Sequence, residues 1–116
     1  MSSELNITIK EDVIRIVTLA PQGRLDTLRA LEFRKQMQAV IDSGVKNLVL
    51  DLSQTPFLDS AGMAVLVSGL KQCREHNGDA RMVWPQAEAV KRILSLTKFD
   101  RIFEMKTSVE EALASF

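Results

Sequence analysis

The chain has no net charge, a single cysteine, a single histidine and no long apolar run. Fifteen basic residues balance fifteen acidic ones, so no global field exists to hold a phosphate backbone or an anionic membrane, and nucleic acid is not an expected partner. No apolar stretch approaches the roughly 20 residues that span a bilayer. Met1-Ser2-Ser3-Glu4 also lacks the basic head and apolar core of a secretion signal. Direct membrane insertion is therefore not expected, and a cytoplasmic location is. Cys73 has no partner for an internal disulfide, and its helical spacing from Met63, Leu66 and Leu70 reads as a small buried hydrophobe rather than a reactive thiol. Walker loops, Cys/His metal spacings and dinucleotide fingerprints are missing, as are internal repeats, low-complexity tracts and linkers. These absences lead to an expectation of no enzyme and no cofactor.

What is present is a core. At 46% hydrophobic over 116 residues, the chain suits one compact domain spanning residues 1–116. Leu5, Ile7 and Ile9 alternate with polar neighbours, Glu11-Asp12 interrupts, and Val13 to Leu19 resumes, which predicts a hairpin. Pro21 and Gly23 punctuate a loop. Asp26 or Thr27 can then cap a helix whose inward face is Ala30, Phe33, Met37, Val40 and Ile41, and which Gly44 ends. Its polar residues, including Arg29, Glu32, Lys35 and Gln36, read as a solvated face. A second helix runs to about His76-Asn77-Gly78, with Gly69 inside it suggesting close packing on the sheet. Ala80 to Trp84 reads as a strand, 86–96 as a helix with Val90, Ile93 and Leu94 inward, and Phe99, Ile102 and Phe103 as a short final strand with its approach. Ser108 and Glu111 form a capping-box signature for a last helix, with Phe116 packing at the end. The fold class expected is α/β: a mixed β-sheet of four to five strands with about four α-helices packed on it.

The most informative stretch is 47–62, N-L-V-L-D-L-S-Q-T-P-F-L-D-S-A-G. The run Leu48 to Leu52 suits a central strand covered on both faces. Pro56 breaks it, and Asp59-Ser60 directly precedes the helical series Met63, Leu66, Val67 and Leu70. A hydroxyl thus stands on or next to a helix N-cap, where unpaired N–H groups and the helix dipole stabilise an anion. Ser60 lacks the means to act as a hydrolase nucleophile. The only histidine, His76, lies sixteen residues along the same helix, about 24 Å away at 1.5 Å per residue. The Asp59-Ser60-Ala61-Gly62 order also lacks the glycine before serine of a nucleophile elbow. Asp51 and Asp59 could be a magnesium pair, but further acidic residues are missing where the chain has Leu19-Ala20-Pro21-Gln22, and only Lys106 is available as the accompanying lysine. Both carboxylates are read instead as satisfying loop and helix-end N–H groups. Two readings of Ser60 remain on the residues alone: a helix cap, or an acceptor of phosphate from another protein.

Leu50-Asp51-Leu52-Ser53 followed by Phe57-Leu58-Asp59-Ser60-Ala61-Gly62-Met63, with Gly23-Arg24-Leu25-Asp26 before the first helix, resembles the bacterial anti-sigma-factor antagonists of the STAS-domain family. The resemblance extends over nearly the whole chain and implies a single STAS domain. It implies that Ser60 is phosphorylated by a serine-kinase anti-sigma factor with a histidine-kinase-like ATP site, and that a PP2C-type phosphatase reverses this. The unphosphorylated form would bind the kinase and free its target, and the phosphorylated form would let go. Gly23, Leu25, Asp26, Ser53, Thr55, Asp59, Gly62 and Met63 fall on the family's partner-contacting surface, with Met63 open between contact and core. Ala61 stands where many members carry a second hydroxyl. Ser53 and Thr55 are read as loop hydrogen-bonding residues ahead of secondary phosphosites. Two alternatives stay open: a STAS subunit of a lipid-transport ABC complex, in which Ser60 only caps its helix, and a stressosome-type scaffold. A monomer or weak dimer is expected.

Overall fold

The computed structural model describes residues 5–11 and 15–116. Chain order is β1 (Asn6–Glu11), β2 (Ile16–Gln22), α1 (Thr27–Asp42), β3 (Asn47–Asp51), α2 (Ser60–Glu75), β4 (Asp79–Val83), α3 (Glu88–Leu96), α4 (Phe99–Ile102), β5 (Glu104–Lys106) and α5 (Val109–Ala114). The five strands lie in the spatial order β1-β2-β3-β4-β5. The hairpin pair β1/β2 is antiparallel, and the three pairs that follow are parallel. Parallel neighbours need a crossover, and the helices between them supply it.

The unbroken apolar run of β3 has its explanation in the two faces of the sheet. Leu48 and Leu50 face the main core with Phe33, Met37, Leu66, Met82 and Leu94. Val49 points to the opposite face, where Ile16, Val83 and Ala112 pack with Phe116. A strand sandwiched between helical layers has no side left for polar residues. The second face is closed by Arg81. Its guanidinium lies 4.3 Å over the Phe116 ring and donates to the Ser115 hydroxyl and carbonyl at 2.9 Å each, so Phe116 packs as expected.

Several expectations are corrected. The segment Phe99 to Phe103 is not strand. Lys98 adopts φ 63°, the chain turns into the short α4, and Phe99 and Phe103, four residues apart, bring their rings to 6.0 Å on one face. With it there are five helices among the described residues, in keeping with the expected mixed sheet of four to five strands and about four helices. Pro21 belongs to β2, paired with Ile7, because the hairpin extends to Asn6 and Gln22. Val13 and Ile14 lie outside the described residues. Gly69 packs against α1 rather than the sheet, since a Cβ there would sit 2.6 Å from Met37 Sδ and 3.8 Å from Leu48 Cδ1. Ser108 caps α5 through the Glu111 N–H at 3.0 Å, but the Glu111 carboxylate accepts from the Thr107 N–H and hydroxyl instead of closing a box on Ser108. Cys73 is buried as expected; burial, helped by the Asp79 charge, pushes its thiol up to about 11, far from the thiolate that reactivity needs. None of the described helices is long and apolar enough to cross a membrane.

Candidate functional site

The site lies at the carboxyl ends of β2 and β3, where two loops leave the sheet side by side and each starts a helix. In open α/β sheets this is the edge that meets ligands and partners. Here the loops are joined by their own backbones. The Gly23 N–H donates to Gln54 O at 3.1 Å, the Leu25 N–H to Phe57 O at 2.9 Å, and the Asp59 N–H to Leu25 O at 3.4 Å. Leu25 and Leu58 thereby form a one-residue parallel bridge. Thr55 adds a buried hydroxyl that donates to Pro21 O at 3.1 Å. A pair of surface loops so tied holds the two helix starts in fixed relation.

Each helix start is capped by an aspartate. Asp59 precedes α2: its Oδ1 accepts from the Gly62 N–H at 3.0 Å and its Oδ2 from the Thr27 hydroxyl at 2.8 Å. Asp26 precedes α1 and accepts from the Arg29 N–H at 3.0 Å and the Arg29 guanidinium at 2.8 Å. The Gly62 amide, together with the Thr27 hydroxyl, lowers the Asp59 carboxyl below its ordinary 3.8. The Arg29 amide is the main cause of the same lowering at Asp26, with the Arg29 and Arg24 charges adding to it. Both groups release their protons more readily in the folded chain than in the unfolded one. Their stabilisation is present above pH 3.8 and is lost as pH falls through the lower folded values.

Thr27 is therefore more than a neighbour of the cap, since it ties α1 to the residue beside Ser60. Thr27→Val is expected to raise the Asp59 carboxyl pKa in an NMR titration and to cost about 1 kcal/mol of stability. Thr27→Ser should restore both, and an unmoved Asp59 titration in the valine variant would show that the bond contributes nothing.

Ser60 is the first residue of α2 and is exposed. Asp59, not Ser60, takes the capping position. Both Asp59 oxygens are already engaged, and the Ser60 hydroxyl makes no hydrogen bond among the described residues. It is a free hydroxyl at a positive helix end.

The other residues expected on the surface divide. Gly23, at φ 141°, Asp26, Ser53, Asp59 and Met63 are partly buried. Leu25 (0% exposed), Thr55 (1%) and Gly62, expected on the same surface, are buried in the free chain and brace the loops. A Cβ at Gly62 would lie 2.6 Å from Leu25 O, which explains the glycine there. Met63 is intermediate, with its side chain packed on the main core while part of it stays open. Ser53 receives no side-chain role, but its N–H donates to Asp51 Oδ1 at 3.0 Å, an Asx-type turn that accounts for Asp51. His76 caps the far end of α2, its Nδ1 2.8 Å from Gln72 O.

Three features were not read from the sequence. Arg29 is a partly buried clamp on Asp26 rather than part of a solvated face. The Arg24 guanidinium stacks 3.9 Å over Phe57, a pairing across two loops that no local spacing signals. Leu28 and Leu31 are exposed at 60% and 55%. They carried a signal that could have been used: they stand off the Ala30, Phe33, Met37 stripe and so have no core to enter.

Comparison with known proteins agrees with this fold. The family model described as "STAS domain" matches residues 4–112. A Thermotoga neapolitana protein named "Putative anti-sigma factor antagonist TM1081 homolog" is 34% identical over 106 residues, covering 90% of each chain. The crystal structure of "a putative anti-sigma factor antagonist (tm1081)" from Thermotoga maritima superposes with TM-score 0.87 at 30% identity, covering 94% of this chain and 92% of that one. At the level of fold alone, the Bacillus protein SpoIIAA is similar in its unphosphorylated form (TM-score 0.73, 15% identity, 95% and 96% covered). Its phosphorylated form is similar to the same degree (TM-score 0.74, 14% identity, 95% and 98% covered).

Proposed function

Because the chain belongs to the STAS-domain family, we propose that it works as an anti-sigma-factor antagonist in a cytoplasmic partner-switching pathway, with Ser60 as the switch. Its partner is a serine-kinase anti-sigma factor, which the unphosphorylated chain binds and thereby separates from its target. A PP2C-type phosphatase resets the chain. The kinase brings the phosphoryl chemistry, and this chain brings the acceptor and the docking face.

The observation that carries the reading is the free Ser60 hydroxyl at the start of α2, exposed beside an Asp59 whose two oxygens are already bonded. A kinase needs an acceptor that can enter its site without unfolding the substrate. Thr55 fails this requirement, because its hydroxyl is buried and donates to Pro21 O. Phosphate on Ser60 would add about two negative charges and three acceptors at a helix N-terminus, which the fold tolerates. The similarity of both SpoIIAA forms to this fold supports that tolerance.

Incubation with the serine-kinase partner and ATP is expected to add one phosphate, and peptide mass spectrometry to place it on Ser60. A phosphate found on Ser53 or Thr55, or no phosphate from a kinase shown to be active, would overturn the assignment.

A further inference from the structure

A switch residue supplies discrimination but not affinity, and the surroundings of Ser60 offer little to grip. Leu25, Leu58 and Gly62 are buried, and Ala61 and Met63 are partly buried against the core. Interfaces draw most of their affinity from a few large side chains that become fully desolvated on binding, set among contacts that contribute little. Such side chains are found one helix away. Leu28 and Leu31 are 60% and 55% exposed on the outward side of α1, opposite the buried Ala30, Phe33 and Met37. A single exposed leucine needs no explanation, but two at i and i+3 are neighbours on a helix surface and form one apolar patch.

The patch lies beside the switch. Thr27, the residue immediately before Leu28, donates its hydroxyl to Asp59, and Asp59 adjoins Ser60. Leu31 is four residues past Thr27, about 6 Å further along the helix axis. A standard interface takes about 800 Å² from each partner, a patch roughly 28 Å on a side. A partner centred on Ser60 with an interface of that size extends about 14 Å from it, far enough to take in the start of α1.

We infer that Leu28 and Leu31 are the apolar anchors by which the serine-kinase partner holds this chain, inserting into an apolar depression on that partner while Ser60 faces its phosphate-transfer site. This rests on the partner-switching reading above and adds to it a second, separable element. Affinity comes from α1 and its control comes from the start of α2, with the Thr27–Asp59 hydrogen bond fixing the distance between them.

The test uses the Ser60→Ala chain as parent, so that phosphorylation does not intervene, and titrates it calorimetrically into the kinase. Leu28→Ala and Leu31→Ala are each expected to weaken binding about tenfold, while Leu96→Ala, which truncates a 75% exposed leucine on α3, binds as the parent does. All three leucines are exposed, so thermal melts should stay within about 0.5 kcal/mol of the parent. If both α1 variants bind as tightly as the parent while Ser60→Asp still fails to bind, the anchor inference falls and the switch stands. Equal binding by Ser60→Ala and Ser60→Asp takes down both. If instead the two truncations dissolve a dimer of the free chain in sedimentation runs and leave kinase affinity unchanged, the patch belongs to a second copy and the inference is overturned.

Discussion

Ser60→Asp is expected to bind the kinase at least 100-fold more weakly than Ser60→Ala, with both variants folded. In the proposed complex the partner would cover the start of α2, and a carboxylate placed there would leave water without a partner charge. Removing an unpaired charge from water costs on the order of 3 to 5 kcal/mol, which at 1.4 kcal/mol per decade is about 100- to several-thousand-fold in affinity. The cation-bearing groups nearest the loops do not relieve it. The Arg29 guanidinium is engaged by Asp26 at 2.8 Å, and Arg24 lies over Phe57. Asp59 adds a like charge next door, and its lowered pKa keeps it ionised at neutral pH. Stability moves little, because the positive helix end favours an added anion by about 0.3–1 kcal/mol and the repulsion from Asp59 offsets part of that. Phosphoserine, with about twice the charge, should weaken binding further than aspartate does. Calorimetry on the two variants decides the matter: equal affinities would refute the electrostatic account of the switch.

What could be read in advance, and what could not, follows from the range of the forces involved. The strand-helix alternation, the α1 stripe and the caps at Asp26, Asp59 and Ser108 are local, set by residues within a few positions of each other, and all appear in the structure. The run Leu48 to Leu52 announced a strand buried on both sides; the strand is Asn47–Asp51, and Leu52 is buried just past its end. The α4 turn was missed because Phe99 and Phe103 carry both strand propensity and i,i+4 spacing, and the deciding event is the positive φ at Lys98. Gly69 was assigned to the wrong neighbour because a sequence shows that a glycine has space to yield without showing which element takes it. The place of Ser60 at a helix start was legible in the sequence because its motif is contiguous. Its environment was not, since Thr27 and Asp59 are 32 residues apart, as are Asn47 and Asp79, and such contacts exist only after the sheet brings the loops together. The buried places of Leu25 and Thr55 have the same origin. A motif match marks the loop as important, but only the Leu25–Leu58 bridge shows which of its side chains turn inward.

Gly62→Ala should produce the largest loss of stability at the site, about 3 kcal/mol, and should loosen the switch as well. An added Cβ would meet Leu25 O at 2.6 Å, Leu58 Cδ1 at 2.8 Å and Leu25 Cγ at 3.0 Å. Leu25 cannot step aside cheaply: it is fully buried, its N–H is bonded to Phe57 O, and its carbonyl accepts from the Asp59 N–H. Overpacking against rigid surroundings falls at the upper end of the usual 1–3 kcal/mol, a fall in melting temperature of more than about 10 °C for a chain of this size. Gly69→Ala is the control, because its Cβ at 2.6 Å meets the Met37 thioether, the flexible end of a side chain that can rotate away. If the two variants melt together, the Leu25–Leu58 bridge is not the rigid element described here. The functional consequence is read separately at Asp59. The Gly62 N–H is the largest cause of its lowered pKa, so a displaced residue 62 should let the Asp59 carboxyl rise toward 3.8 in the folded variant. With that cap loosened, the first turn of α2 no longer holds Ser60 in one place, and the rate at which the kinase phosphorylates it should fall even at temperatures where the chain remains folded.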